Sequence, residues 1–163
     1  MKIRVGDLDT LAVRAKALGA EERGELRQVD TYFAAPQRLK LREMDGVAEL
    51  IAYSRPDVSG LRTSDYTITP VTDPEALKAA HVVIARVAKM RRLLMLGRTR
   101  IHLDAVVGLG EFLELEVVLR DGDDERVGEH EAEEILQGLG VDGERIAGSY
   151  ADYFLSTTPT SPK

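Results

Sequence analysis

The feature that most constrains the fold is the alternation of polar and apolar residues along the middle of the chain, between residues 86 and 119. Successive side chains of a β-strand point to opposite faces, so alternating polar residues share one face. In the segment after residue 97, the alternating polar residues are Arg98, Arg100, His102 and Asp104. Lys89 and Arg91 repeat the pattern before this segment, and Glu114 and Glu116 repeat it afterwards. The stretch therefore predicts antiparallel strands joined by tight turns at 96–97 and 108–110.

Charge is distributed unevenly along the sequence. Residues 76 to 103 include seven basic residues and no acidic residue, whereas acidic residues concentrate between 121 and 134. The whole chain of 163 residues has a net charge of −6, which does not favour general nucleic-acid binding. A basic stripe inside an acidic protein is better suited to a small anion than to a long polymer.

Four segments, 2–4, 38–42, 86–92 and 98–100, place almost only cations on one face of a predicted strand. An ordinary strand with its polar face in water would explain any one of these segments alone. Together they are unusual, because like charges on neighbouring strands repel one another. If these faces enclose an interior, each unpaired charge is costly unless a counter-charge lies beside it. A bound polyphosphate would supply such counter-charges, since Arg and Lys both bind phosphate oxygens.

Glu114 and Glu116 form the candidate metal site. Residues two apart in a strand lie roughly 6.5–7 Å from each other on one face. Their carboxylates can therefore converge on one Mg²⁺ or Mn²⁺, with substrate phosphates completing its shell. Asp104 is either a third carboxylate of that site or the partner of an ion pair with Arg91 or Arg100.

His102 lies on the same predicted face. It can hydrogen-bond a phosphate or act in proton transfer, but a satisfied polar residue is the favoured interpretation. The sequence contains no P-loop and no glycine-rich dinucleotide motif, and without cysteine it has no thiolate metal site or disulfide. The charged strands remain the main chemical signal.

The chain is long enough for one domain with a core, and no long linker divides it. We predict a single domain over residues 1–155 and a polar, proline-containing tail over residues 156–163, which is expected to be disordered. Hairpin signals dominate, with a strand predicted at 28–33, and helices are predicted near the start, at 129–139 and at 149–155. The fold class is therefore α+β with a mostly antiparallel sheet. No segment is typical of a signal peptide or a membrane span, so a cytoplasmic protein without membrane contact is expected.

Eight short stretches, in this order, carry a family resemblance: Gln28-Val29-Asp30-Thr31-Tyr32-Phe33, Leu39-Lys40-Leu41-Arg42-Glu43, Tyr53-Ser54-Arg55-Pro56, Val87-Ala88-Lys89-Met90-Arg91, Arg100-Ile101-His102-Leu103-Asp104, Gly108-Leu109-Gly110, Phe112-Leu113-Glu114-Leu115-Glu116 and Ser149-Tyr150-Ala151-Asp152. They resemble the CYTH family, also called triphosphate tunnel metalloenzymes. That family includes class IV adenylate cyclases, thiamine triphosphatases and inorganic triphosphatases. The likeness covers nearly the whole chain, and it is the order of the stretches that makes it specific.

The resemblance implies a closed or nearly closed eight-stranded antiparallel β-barrel, a tunnel with flanking helices, that holds a triphosphate. By this resemblance the triphosphate would be bound by Lys2, Arg4, Lys40, Arg42, Arg55, Lys89, Arg91 and Arg100. A divalent metal, Mg²⁺ or Mn²⁺, would be bound by Glu114 and Glu116 with support from Asp104. These three carboxylates and Lys2 would form the catalytic group. The partner would be a small-molecule triphosphate of the tripolyphosphate, ATP or thiamine triphosphate class; a homodimer is left open.

The first strand departs from the family pattern, which usually begins Glu-x-Glu-x-Lys. Lys2 matches the lysine of that motif, and both glutamates would stand before Met1. Either the start of the sequence is too late, or the protein lacks these two metal ligands. The sequence predicts a metal-dependent triphosphatase that hydrolyses inorganic or organic triphosphates. One alternative is a class IV-type adenylate cyclase, which forms cyclic AMP from ATP. The other is a non-catalytic polyphosphate- or nucleotide-binding protein that lacks the first-strand glutamates.

Overall fold

The computed structural model describes residues 1–54 and 65–157 of the chain. The strands in these residues are β1 (Lys2–Val5), β2 (Glu21–Phe33), β3 (Arg38–Met44), β4 (Val47–Ser54), β5 (Asp65–Pro70), β6 (Val83–Leu96), β7 (Thr99–Val106) and β8 (Gly110–Val117). The helices are α1 (Leu8–Ala17), α2 (Pro74–Ala80), α3 (Glu125–Leu139) and α4 (Tyr150–Thr157). The predicted α+β class is confirmed. None of these helices combines the length and the apolar character that crossing a membrane requires.

All eight strands belong to one sheet, in the order β1-β8-β7-β6-β2-β3-β4-β5. Every pairing in it is antiparallel. β1 and β5 are the edge strands, and the sheet is not closed by hydrogen bonds between them in the described residues. The eight antiparallel strands match the prediction, whereas a closed barrel is not confirmed.

Strand β2 is much longer than the strand predicted at 28–33, because it begins at Glu21 and spans 13 residues. Its first five residues, Glu21-Glu22-Arg23-Gly24-Glu25, are all exposed. They contain no apolar residue, so they give no strand signal in the sequence. Pairing with β6 holds this half of the strand, with a bulge between Glu22 and Gly24. Gly24 has a φ of 120°, a backbone conformation that favours glycine and is common at bulges.

Two helices differ in length from their predictions. Helix α3 begins at Glu125 rather than at residue 129, because the Asp124 side chain accepts a hydrogen bond from the Arg126 amide and caps the helix. Helix α4 continues to Thr157, two residues beyond the predicted domain boundary. The remainder of the predicted tail, residues 158–163, lies outside the described residues.

The larger apolar cluster covers the outer face of the sheet, whereas the inner face carries most of the buried charged residues and a smaller apolar cluster. A first cluster packs α1 and α3 against β6, β7 and β8, and it includes Leu94, Ile101, Leu113, Ala15 and Leu139. These strand residues alternate with the charged residues, which therefore point to the opposite, inner face. A second cluster on the inner face lies under α4. The aromatic rings of Phe112 and Tyr150 meet there edge to face, with centroids 5.0 Å apart.

Candidate functional site

The inner face of the sheet lines a cavity of about 710 Å³, and each of the eight strands contributes side chains to its wall. The charged residues of the wall are Lys2, Asp30, Lys40, Arg42, Lys89, Arg91, Arg100, Glu114, Glu116 and Glu125. The sheet therefore curls around the cavity, although its edge strands do not pair. Six of these residues are cations from four different strands and four are acids, so the wall brings together residues far apart in sequence and carries an excess of positive charge.

Lys89 and Arg91, which we call the β6 cation pair, both donate hydrogen bonds to Asp104. Asp104 stands opposite Arg91 in the β6–β7 register and is fully buried. The Arg91 guanidinium donates two hydrogen bonds to its oxygens, at 2.7 and 2.6 Å, and Lys89 Nζ donates a third at 3.3 Å. Burial raises the pKa of Asp104, but these cations outweigh that effect and lower it below its usual value. Asp104 is therefore an ionised counter-charge.

Glu114 connects the β6 cation pair to strand β8. Arg91 Nη2 donates to Glu114 Oε2 at 2.6 Å, and Lys2 Nζ lies 3.8 Å from Glu114 Oε1. Burial raises the pKa of Glu114, yet Lys2 and Arg91 outweigh burial and hold that pKa well below its usual range. The carboxylate is therefore charged at neutral pH and able to bind a cation.

Lys40 and Arg42, the β3 cation pair, share a second buried aspartate. Asp30 on β2 stands opposite Arg42 in the β2–β3 register and is 1% exposed. Arg42 Nε donates to Asp30 Oδ1 at 3.1 Å, and Lys40 Nζ donates to Oδ2 at 3.2 Å. Gln28 donates a further hydrogen bond to Oδ2 at 2.9 Å. Burial raises the pKa of Asp30, but Lys40 and Arg42 outweigh it and lower the pKa below its usual range.

Glu116 is the more accessible of the two strand-β8 glutamates, with 44% of its side chain exposed. Arg100 Nη1 donates to its Oε1 at 3.1 Å, and His102 Nε2 lies 3.4 Å from its Oε2. The hydrogen bond from His102 lowers the pKa of Glu116, and burial lowers the pKa of His102. The other ring nitrogen of His102, Nδ1, is buried without a hydrogen-bond partner among the described residues. His102 therefore holds Glu116 as a neutral hydrogen-bond donor.

Helix α4 closes the inner face through Tyr150. The Tyr150 hydroxyl donates to Asp104 at 2.7 Å. Its ring centroid lies 4.0 Å from Lys2 Nζ and 4.8 Å from Lys89 Nζ, which are favourable cation–π distances. Further along α4, the Asp152 carboxylate accepts a hydrogen bond from Arg38 on β3 at 2.7 Å. One short helix thus contacts strands from both halves of the sheet.

The structure brings most of the predicted site residues to one cavity. Its wall contains Lys2, Lys40, Arg42, Lys89, Arg91, Arg100, Glu114 and Glu116. Asp104 lies behind this wall in the ion pair with Arg91, one of the two interpretations that the sequence left open. The substrate-binding, catalytic and metal-binding roles of these residues remain predictions.

Two other basic residues, Arg4 and Arg98, do not line the cavity. Arg4 is exposed, and its Nη1 donates to the Tyr153 hydroxyl at 3.2 Å rather than lining the cavity. Arg98, which the alternation placed on the polar face, is in the β6–β7 turn and pairs with Asp123 and Glu131. The alternation fails there because the turn interrupts the strand before Thr99. Arg55 lies outside the described residues.

Sequence reasoning did not single out Asp30 or Tyr150 as site residues. Both stand in stretches that carry the family resemblance, so a signal was present, but neither is part of a charged alternation. Asp30 is the only acid in the strand predicted at 28–33. Its importance follows only from the register, which sets it opposite Arg42.

The donor set fits a divalent metal that binds together with phosphate. No three acidic or histidine side chains in residues 1–54 and 65–157 converge as a ready-made metal site. Glu114 and Glu116 both reach the cavity, and carboxylate oxygens are ligands that Mg²⁺ and Mn²⁺ prefer. Mg²⁺ is usually bound by one or two carboxylates plus substrate phosphates, so two glutamates are sufficient.

Comparison with protein families gives one match, to the CYTH domain over residues 1–150. No curated protein matches the chain.

Solved structures with the same fold cover nearly the whole of both chains. The PH1012 protein from Pyrococcus horikoshii OT3 is 22% identical, with a TM-score of 0.78 over 93% of this chain and 95% of its own. A conserved hypothetical protein from Pyrococcus furiosus is 18% identical, with a TM-score of 0.80 over 93% and 96%. A protein from Vibrio parahaemolyticus named as a candidate adenylate cyclase is 22% identical, with a TM-score of 0.72 over 96% of each chain. At these identities the likeness establishes the fold.

Proposed function

The chain belongs to the CYTH domain family, and on that premise we propose that it hydrolyses a triphosphate compound with the help of a divalent metal. Members of this family generally act on triphosphates. The proposal depends on one observation above all, the convergence of six cations on a single cavity beside two accessible glutamates. A cavity of this charge is suited to a ligand with several negative charges packed along a short chain.

The cations would contribute to the binding of such a ligand in different ways. Arg binds phosphate oxygens through a planar fork, whereas Lys binds them as a point charge. Arg42 and Lys40 keep 22% and 14% of their side chains exposed, so they can exchange part of their contact with Asp30 for a phosphate. Arg91 is held by Asp104 and Glu114, so it serves mainly to fix the Glu114 carboxylate.

Glu114 and Glu116 are the residues that would hold the metal. A divalent metal supplies charge neutralisation and an activated water for attack on phosphorus. Arg91 and Lys2 orient Glu114, while Arg100 and His102 orient Glu116. Such supporting hydrogen bonds set the direction of each carboxylate before any ligand arrives.

A second candidate is an adenylate cyclase, in which the ribose 3′-hydroxyl of ATP attacks the α-phosphorus. The names of two structural neighbours favour it, since the proteins from Vibrio parahaemolyticus and Bacillus halodurans are both named as candidate adenylate cyclases. Cyclase and triphosphatase need the same phosphate and metal contacts. They differ in the nucleophile that attacks phosphorus. It is a water molecule in the triphosphatase and the ribose 3′-hydroxyl of the substrate in the cyclase.

The test is an assay of the purified protein with tripolyphosphate, ATP and thiamine triphosphate, in Mg²⁺ and in Mn²⁺, measuring phosphate and cyclic AMP. We expect phosphate release that Glu116→Gln lowers at least about 100-fold, since removing a metal ligand costs more than removing a residue that supports one. The matched control is Glu129→Gln, an exposed glutamate on α3, which should leave the rate unchanged. Cyclic AMP without phosphate release would establish the cyclase, and binding without any product would establish a binding protein.

A further inference from the structure

Part of the outer face of the sheet is left open between two groups of helices. Helices α1 and α3 pack over one end of β6, β7 and β8, and α2 lies beside β3, where Lys78 Nζ donates to Glu43 at 3.3 Å. Between these helices lies what we call the open face, formed by Arg27, Val29, Met90, Ala105, Val107 and Glu111. Val107 is 73% exposed and Met90 is 41% exposed, so the described part of the chain leaves these apolar side chains in contact with solvent.

One row of the open face crosses four strands and changes from basic to acidic. Arg27 on β2 stands opposite Met90 on β6. Met90 stands opposite Ala105 on β7, which in turn stands opposite Glu111 on β8. Neighbouring strands are about 4.8 Å apart, so the row is about 14 Å long. Its order is a cation, two apolar side chains and an acid, and neither Arg27 nor Glu111 has an ion-pair partner among the described residues.

The acidic end of the row belongs to a second cavity, of about 290 Å³, beside the start of α1. Among the described residues that line this cavity, the charged ones are Asp7, Asp9, Glu25, Arg92 and Glu111. Four are acids and one is a cation, and that cation, Arg92, already pairs with Asp9 at 3.1 Å. Met90, Leu103 and Ala105 give the same cavity an apolar part. The cavity therefore suits a side chain with an aliphatic stem and a cationic head, such as arginine.

The charges of this row are complementary to those of a second copy of the row. A twofold axis parallel to the strands, running between β6 and β7, would set β2 of one protomer over β8 of its partner. Arg27 would then face Glu111 of the partner subunit, and Met90 would face Ala105 of the partner subunit. Twofold symmetry repeats both contacts, as in any isologous interface. Two sheets with aligned strands pack in this way at a separation of about 10 Å.

We propose that two copies of this chain associate through the open face as a homodimer, with Arg27 of each protomer in the acidic cavity of the other. The apolar side chains of Val29, Met90 and Val107 would be covered in the same event. This inference goes beyond the proposed function and does not depend on it, because the open face is on the opposite side of the sheet from the charged cavity. A face of this size belongs with the smaller interfaces, so the dissociation constant is expected in the micromolar range.

The test is sedimentation equilibrium of the full chain over a series of protein concentrations. Arg27→Glu and Glu111→Arg should each weaken the dimer at least about tenfold, because each variant sets like charges opposite one another twice per dimer. The double variant, Arg27→Glu with Glu111→Arg, should regain most of the lost affinity, because it restores both pairs with their signs exchanged. Met90→Glu is an independent variant that places a charge in the apolar middle of the row, and it should also favour the monomer.

Arg126→Glu is the matched control, because Arg126 is an exposed arginine on α3, away from the row. It should leave the dissociation constant unchanged, and circular dichroism checks that every variant is folded. A protein that remains monomeric up to about 1 mM overturns the inference. A dimer that both single reversals leave intact forms through another surface and overturns it equally, as does a double variant that regains no affinity. Triphosphate turnover is measured separately on the same proteins, so its failure would contradict the proposed function alone.

Discussion

The cavity contains the same small motif twice, a Lys-x-Arg pair on one strand with a buried aspartate on the next. The β3 cation pair has Asp30 opposite its arginine, and the β6 cation pair has Asp104 opposite its arginine. The spacing and the register are alike, but the surroundings are not. Arg91 makes three hydrogen bonds of 2.6 to 2.7 Å to two carboxylates. Arg42 donates one hydrogen bond of 3.1 Å to its aspartate.

We infer that this difference separates a structural anchor, the β6 cation pair, from the β3 cation pair, which we propose binds the ligand. Asp104 on β7 is fully buried beneath α4, and the Tyr150 hydroxyl also donates to it. Lys89 and Arg91, which bind the same carboxylate, are therefore tightly held. Lys40 and Arg42 retain exposed surface and share a single carboxylate, so they have capacity for a further anion. An identical sequence motif can therefore have two roles, and the elements that pack behind it decide which.

Asp104→Asn should have the largest effect on stability. It leaves Lys89 and Arg91 without their buried counter-charge, and breaking a buried pair costs about 3–5 kcal/mol. Urea unfolding followed by circular dichroism measures the loss in the free energy of unfolding. A loss no greater than that of Asp30→Asn would contradict the assignment of Asp104 as the anchor.

Asp30→Asn should have a smaller effect, a loss of about 1–3 kcal/mol in the free energy of unfolding. Water in the cavity reaches Lys40 and Arg42, so it solvates part of the released charge. Tripolyphosphate should restore more of the melting temperature in this variant than in Asp104→Asn, because the anion replaces the missing carboxylate at an open site. Thermal melts with and without the anion test this point, and equal recovery in both variants would remove the distinction.

The pH dependence of anion binding should report the two buried lysines of the cavity, Lys89 and Lys40, because burial lowers the pKa of both. Burial, with help from Arg91, lowers the pKa of Lys89 from 10.5 to about 8, so Lys89 loses its charge as the pH rises through that value. Metal-free tripolyphosphate should therefore bind more weakly above about pH 8, by up to about tenfold per pH unit. Because an unfolded chain keeps that proton up to about pH 10.5, this group adds to folding stability as the pH rises through the same window.

Lys89→Arg is the control for the pH experiment, because arginine stays charged throughout that range. Its anion affinity should be flatter with pH than that of the unmodified protein. The same decline in both proteins would assign the titration to another group, and calorimetry over the pH series distinguishes these outcomes.

Tyr150→Phe should have the smallest effect, a loss of about 1 kcal/mol in the free energy of unfolding. It removes the hydroxyl that donates to Asp104 and keeps the ring between Lys2 and Lys89. Urea unfolding measures it against Tyr66→Phe, a hydroxyl deletion at an exposed position, which should change stability by less. A larger loss in the free energy of unfolding for Tyr150→Phe than for Asp104→Asn would contradict the assignment of Asp104 as the anchor.

The sequence was sufficient to group most of the charged residues, because a period of two fixes which face of a strand each residue takes. Lys89, Arg91, Glu114 and Glu116 follow that rule and meet in the cavity. Arg98 does not, since it is one of the two turn residues between β6 and β7 and lies outside the strand register. The rule also says nothing of the partner strand, so the pairing of Asp30 with Arg42 required the structure.

Elements without an apolar pattern were the ones that sequence reasoning underestimated. The first half of β2 is entirely polar and is held by backbone pairing with β6, so no periodicity marks it. The first turn of α3, residues 125–128, was left out of the helix predicted at 129–139, although the acid Glu125 is favourable at a helix N-terminus. Whether the sheet closes depends on twist and register summed over eight strands, which no local pattern contains.

Helix α4 has a consequence for the order in which this fold can be completed. Tyr150 contacts side chains of β1 and β7, and Asp152 contacts Arg38 on β3. The helix therefore links strands that are not neighbours in the sheet. A nascent chain that ends at α3 lacks these contacts of Tyr150 and Asp152. The cations of the inner face are then less enclosed. The contacts that α4 makes with the two halves of the sheet can therefore form only after the C-terminal part of the chain has been synthesised.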